Sequence, residues 1–238
     1  MKYNRVVENI IRIFTENPGT QIIKFLSDDR MYSEMIEIKE GWNTLDMAND
    51  FKYGFTKEAG PLSVPFTEVD YSHYTGTELF SFINHHAICG KVMLPDTMKE
   101  LPEKCLFNNN DLQEVILGKN TKIIGTSAFE NCRQLSKCVL PEGLKEVQDR
   151  AFVNTSIYKI IFPKSIEKLG EDVCSIYIKY MYEELPIVRF QGLEPPVLTI
   201  ESFREGTRLE VPMAAVETYK NINIPGWKEK FGDNIVGY

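Results

Sequence analysis

Apolar triplets recur along the second part of the chain: Val92-Met93-Leu94, Val115-Ile116-Leu117, Cys138-Val139-Leu140 and Ile160-Ile161-Phe162. Their first members stand 23, 23 and 22 residues apart. Pro95, Pro141 and Pro163 follow three of the triplets and Gly118 follows the other. Further along each unit come apolar positions: Met98 and Leu101, then Ile123, then Leu144 and Val147, then Ile166 and Leu169. A small residue followed by a large one comes next, as Ala128-Phe129 and Ala151-Phe152, and in looser form as Cys105-Leu106 and Val173-Cys174. Phe129 lies nine residues before its triplet and Phe152 eight, which accounts for the one shorter step. A period near 23 with one short strand per unit predicts a stack. Its strands lie side by side at about 4.8 Å, with Val92, Val115, Cys138 and Ile160 neighbours on one continuous ladder, and share a core that no single unit closes. Proline, which has no N–H to give a ladder, ends three of the four strands.

Alternation along such strands sends the outer two residues of each triplet into the core and the middle one outward. The outward row is then Met93, Ile116, Val139 and Ile161, continued by Arg189 and Glu210. One residue before each triplet runs a charged border of Lys91, Glu114, Lys137 and Lys159. An apolar centre with a charged rim is the pattern of a surface that binds another protein. A second reading stands beside it: the row is covered by the N-terminal part of the same chain, since β-branched residues also suit strands for their own sake.

The repeat wording, L-x-x-V-x-L-P-x-x-L-x-x-I-x-x-x-A-F-x-x-C, is best seen in Ala128-Phe129-Glu130-Asn131-Cys132 with Leu135, Cys138, Leu140 and Pro141. It resembles the BspA-type bacterial leucine-rich repeats, from about Gly90 to Tyr238. Leu209-Glu210-Val211-Pro212, then Val216, Tyr219 and Trp227, then Asn234-Ile235-Val236 look like the family's closing strand, helix and strand. Ser175 to Pro186 departs from the pattern and stretches the step from Ile160 to Val188 to 28 residues, which predicts an extra turn or short helix. The resemblance implies an α/β, strand-rich, right-handed solenoid. It also implies a non-catalytic binding module, with roles such as bacterial surface adhesion or recognition of a partner protein.

Residues 1–75 lack the repeat. Val6, Val7, Ile10, Ile11, Ile13 and Phe14 fall at helical spacing, opposite Glu8, Asn9, Arg12 and Glu16, and predict a helix stopped at Asn17-Pro18-Gly19. Ile22 to Leu26 and Met35 to Ile38 predict strands, and Gly54 to Gly76, with Pro61 and Pro65, predicts turns. The chain thus divides into an N-terminal α+β cap or small domain, 1–75, and a leucine-rich-repeat region with its own C-terminal cap, 76–238. A cap suits a stack whose first unit would otherwise expose its core. The alternative is an enzyme or immunity-type protein with its active part in residues 1–75.

Chemistry is sparse. No phosphate-binding loop and no nucleophile elbow occurs in the sequence, and the three histidines fall between positions 73 and 86. No catalytic residues and no cofactor are therefore expected. The five cysteines each occupy an apolar or small column of the repeat, with no C-x-x-C pair, and read as reduced core thiols. His85-His86-Ala87-Ile88-Cys89 is the sharpest metal candidate. Adjacent strand residues face opposite ways, and His86 takes the same turn column as Cys132, so no metal is expected there.

A net charge of -7 disfavours nucleic acid as a partner, and no apolar run is long enough for membrane insertion. The partner expected is another protein, and nothing in the sequence fixes the oligomeric state. Lys2 and Arg5 imitate the start of an export signal, but Glu8, Asn9 and Arg12 interrupt its apolar part. The sequence as written reads as cytoplasmic, with a secreted or cell-surface location implied by the resemblance, or as an intracellular scaffold.

Overall fold

The computed structural model describes residues 10–15, 19–27, 30–46, 66–70, 72, 88–176 and 186–238. In the N-terminal third these form β1 (Ile10–Thr15), β2 (Gly19–Ser27), β3 (Arg30–Ile38), β4 (Gly41–Asp46) and β5 (Phe66–Asp70). The predicted strands at 22–26 and 35–38 lie in the antiparallel pair β2–β3, in register from Gly19 opposite Ile38 to Ser27 opposite Arg30.

The helix predicted through Phe14 is corrected: Ile10–Thr15 is a strand, antiparallel to β4 on one side and β5 on the other. Ile10, Ile11, Ile13 and Thr15 are β-branched, stiff at χ1 and suited to a pleated surface. The pairing partners that decide between the two periods lie far along the chain. Val6 and Val7 fall outside the described residues. The turn-rich stretch is corrected in one part, since Phe66–Asp70 is a strand; 54–65, 71 and 73–76 fall outside the described residues.

The repeat region contributes β6 (Ile88–Met93), β7 (Glu100–Leu101), β8 (Leu112–Ile116), β9 (Ile123–Ile124) and β10 (Lys137–Val139). It continues with β11 (Glu146–Val147), β12 (Phe152–Thr155), β13 (Lys159–Phe162), β14 (Lys168–Leu169) and β15 (Cys174–Ile176). Three columns of parallel backbone pairing join the units. In the front column Val92 pairs with Val115 and Val115 with Cys138. The second column runs β7-β9-β11-β14. In the third, the amides of Leu106, Phe129 and Phe152 donate to the carbonyls of Ala128, Ala151 and Val173, one unit on.

One expectation about the front column is corrected. Ile160 does not continue the ladder of Val92, Val115 and Cys138; it opens a second one with β16 (Ile187–Phe190) and β17 (Arg208–Val211). The interruption falls at the unit that is one residue short. Stacking persists across it because the second column pairs Glu146 with Lys168 and the third pairs Phe152 with Cys174. β5 pairs with β6 in parallel, so the front sheet of the first three repeat strands extends edgewise into the N-terminal third, in the order β10-β8-β6-β5-β1-β4.

The core follows the sequence columns with one shift. Leu101, Ile124, Val147 and Leu169 form the buried column, so Ile124 takes the place assigned to Ile123. The preceding column, Met98, Leu144 and Ile166, admits a polar member, Thr121, whose hydroxyl donates to the Met98 carbonyl at 3.0 Å. Phe129 and Phe152 stack at 5.1 Å between ring centres, nearly parallel at 10°. Gly118 stands where other units carry proline because a Cβ there would lie 2.1 Å from the Pro95 carbonyl oxygen.

One left-handed position recurs in four turns and a second in three of them. Lys104, Ser127, Arg150 and Asp172 have φ of 56, 55, 59 and 43°, and Asn108, Asn131 and Asn154 have φ of 61, 63 and 56°. Asparagine tolerates this region well, and Asn154 donates its amide to the Asn131 side-chain oxygen at 2.8 Å. The chain closes with β16, β17, two short helices, α1 (Val216–Lys220) and α2 (Trp227–Phe231), and β18 (Ile235–Gly237), which pairs with β17 in parallel; the expected strand, helix and closing strand are present, with two helices in place of one. Trp227 is fully buried against Phe231, and its indole N–H donates to the Tyr219 carbonyl at 2.9 Å. The lengthened step is spanned by the Ile160–Val188 pairing, while 177–185 fall outside the described residues.

Candidate interaction surface

The pleat orients the triplets as alternation requires. Val92, Leu94, Val115, Leu117, Ile160 and Phe162 are buried. Between them Met93 and Ile116 are half-buried, while Val139 and Ile161 are 52% and 42% exposed. Cys138 and Leu140 are half-buried, yet both pack against the core. The front sheet brings Met93, Ile116 and Val139 into one cross-strand row. Ile161 heads the second row, with Arg189, Glu210 and Val236. Among the described residues, β5 lies beside β6 within the sheet, its Asp70 aligned with Met93, and so extends the row rather than roofing it.

The border residues form a ladder of alternating charge. Lys91, Glu114 and Lys137 are direct cross-strand neighbours, and the Lys137 ammonium meets Glu114 at 2.7 Å. Opposite charges facing each other across a sheet favour this register. Lys159 belongs to a different group. Its ammonium lies 2.8 Å from the Glu210 carboxylate, which the Arg189 guanidinium also reaches at 2.7 Å and Arg208 at 3.6 Å. Glu210 is buried, and the hydrogen bond from Lys159, reinforced by Arg189, holds its carboxyl below the usual range against the opposing effect of burial. The Arg189 guanidinium lies 4.1 Å from the Tyr238 ring centre.

Sequence reasoning missed Arg150. From its left-handed turn it reaches Glu130 of the preceding unit at 2.6 Å and Asp172 of the following one at 3.7 Å. Exposed pairs of this kind contribute little stability each. Their effect here is on register, since one guanidinium spans three successive turns. The signal was in the sequence, as Ser127-Ala128 and Arg150-Ala151 share a column, but the sign of φ is not legible there.

Cys105, Cys132, Cys138 and Cys174 are free thiols placed in or against the core. The Cys132 thiol donates to the Leu106 carbonyl at 2.9 Å. Burial pushes the Cys132 and Cys174 thiols up to about 12 and moves Cys105 and Cys138 in the same direction. In the unfolded chain a thiol ionises near about 8.5. A raised folded value means that the stability each thiol contributes is intact below the unfolded value. It is lost as pH rises toward about 12 for Cys132 and Cys174. We therefore expect the urea midpoint to fall as pH is raised from about 8 to about 11. The slope should be shallower in Cys132→Ala. At neutral pH iodoacetamide should label the four thiols only after unfolding. Cys89 lies in β6, but its side-chain surroundings, and His85 and His86, fall outside the described residues.

Short parallel strands at a 22–23-residue period, a core of recurrent Leu, Ile and Phe columns and an outward residue row give the repeat region a leucine-rich-repeat fold. Residues 73–176 match the family model described as the BspA type leucine rich repeat region, in six copies. No curated protein matches the chain by sequence. In shape the chain is similar to the pneumococcal vaccine antigen PcpA, at 18% identity, 62% coverage of this chain and a TM-score of 0.44; it spans 39% of that chain. It is also similar to a T. pallidum leucine rich repeat protein, TpLRR, at 21% identity, over 51% of this chain and 71% of that one, with a TM-score of 0.32. A leucine rich cell surface protein from Faecalibacterium prausnitzii A2-165 matches at 14% identity, over 86% and 71% of the two chains, with a TM-score of 0.28.

Proposed function

We propose that the chain is a non-catalytic protein-interaction module. In this reading the units coil as a right-handed solenoid, residues 1–75 cap its first unit, and the outward row of strand residues meets a partner protein. Met93, Ile116, Val139 and Ile161 supply the apolar contacts, and Lys91, Glu114, Lys137 and Lys159 the rim. Adhesion at a bacterial surface is the narrower form of this proposal, and it rests on the family resemblance.

The observation that carries the reading is the exposure of Val139 and Ile161 at equivalent positions of consecutive units. Both sit on strands anchored from behind by buried neighbours, so two exposed apolar side chains are held in place by the core. Preformed apolar positions with charged neighbours suit association, because little ordering entropy remains to be lost on binding.

Val139→Asp with Ile161→Asp tests it. The double variant should keep the circular dichroism spectrum and unfolding midpoint close to those of the wild type, since surface changes away from special features seldom exceed about 0.5 kcal/mol. Affinity capture from the native host should lose the proteins that the wild-type chain retains. Recovery of the same set by both baits would overturn the contact surface.

A further inference from the structure

We propose that the C-terminal half of this face seats an acidic segment of the partner protein, an inference that rests on the front face being the contact surface. Lys159, Arg189 and Arg208 converge on Glu210 at 2.8, 2.7 and 3.6 Å. Among the described residues three cations share one carboxylate, which leaves the group two positive charges in excess. The excess stands out in a chain of net charge -7. Glu210 is buried, so it serves as a fixed centre that aligns the three cations rather than as a group a ligand would meet. Arg208, with 55% of its side chain exposed, and Lys159, with 33%, turn toward solvent.

Apolar and cationic positions are contiguous here. Ile161, Arg189 and Glu210 are cross-strand neighbours in one row, and Tyr238 backs the Arg189 guanidinium. A segment that places an apolar side chain on Ile161 and carboxylates on Lys159 and Arg208 satisfies both halves. Like charges would be repelled, so the cluster selects against basic segments. Salt should weaken the attraction, since the cations are solvent-facing.

Selection of random displayed peptides on the whole chain tests this, with three arms: wild type, Lys159→Gln with Arg208→Gln, and Ile161→Asp. The glutamine pair leaves Arg189 on Glu210, so the buried carboxylate keeps a partner. The expected result is enrichment of peptides that combine Asp or Glu with an apolar residue. A synthetic copy of an enriched peptide should bind the glutamine pair about tenfold more weakly, a loss of about 1.4 kcal/mol. Its binding to the wild type should weaken when salt is raised from about 0.1 M to about 1 M. Enriched peptides without acidic bias, lost in Ile161→Asp but kept by the glutamine pair, would overturn the acidic partner and leave the front face standing. No enrichment, or enrichment that all three arms share, would overturn both. Binding of a single-stranded oligonucleotide in place of any peptide would also overturn the acidic-protein assignment.

Discussion

Val115→Asp will prevent the repeat region from folding, while Val139→Asp, one unit away on the outward row, will leave it folded. Val115 is fully buried, paired to Val92 on one side and Cys138 on the other. An aspartate there must either bury an unpaired carboxylate or be protonated, and both cost several kcal/mol. Native proteins hold only about 5–15 kcal/mol in total, and each unit here leans on its neighbours, so the loss spreads beyond the substituted strand. Val139 is 52% exposed, and aspartate at that site costs about 1 kcal/mol or less, chiefly in strand preference. Circular dichroism and gel filtration of the two variants check the contrast. Equal damage from both would mean that the pleat does not separate the rows as described.

Phe129→Ala should destabilise the chain by about 3–5 kcal/mol, the usual cost of deleting a buried aromatic ring. The ring is fully buried and stacked on Phe152 of the next unit at 5.1 Å. Its loss opens a cavity at the junction between units, where neither side can collapse because Ala128 and Ala151 are already small and buried. Urea unfolding should show a lower midpoint. Phe129→Leu, which refills most of the space, should recover a substantial part of the loss. A change below about 1 kcal/mol for the alanine variant would show that the turn column is not part of the shared core.

Much of this architecture is written in the period. The columns of Val92 and Val115, of Leu101, Val147 and Leu169, and of Phe129 and Phe152 were readable because each unit solves the same packing problem with the same residue types. Ile123-Ile124 was ambiguous because both members are apolar, and only the register of the second column selects Ile124. The gap between the two front ladders was not legible. A one-residue contraction shows as a shorter step, but which of the three columns absorbs it depends on three-dimensional closure.

Ile10–Thr15 was misread for a different reason. Ile10, Ile11, Ile13 and Phe14 fit a helical stripe as well as a strand, and the partners that settle the matter are Gly41–Asp46 and Phe66–Asp70. The exposure of Val139 and Ile161 was legible from alternation, but the break in the row between them and the burial of Glu210 within it were not. The cluster at Glu210 was not, because Lys159 and Glu210 lie 51 residues apart and meet only through the pairing of β13, β16 and β17.

Whether the outward row faces water or the chain's own N-terminal part is decided by chemical access. Ile161→Cys, labelled with a bulky maleimide on the native protein at neutral pH, is the most direct measurement. The substituted thiol should react at a rate close to that of a small exposed thiol, while Cys105, Cys132, Cys138 and Cys174 stay unlabelled until urea is added. Protection of position 161 until the chain unfolds would show the face to be covered from within, and the interaction surface would be lost with it.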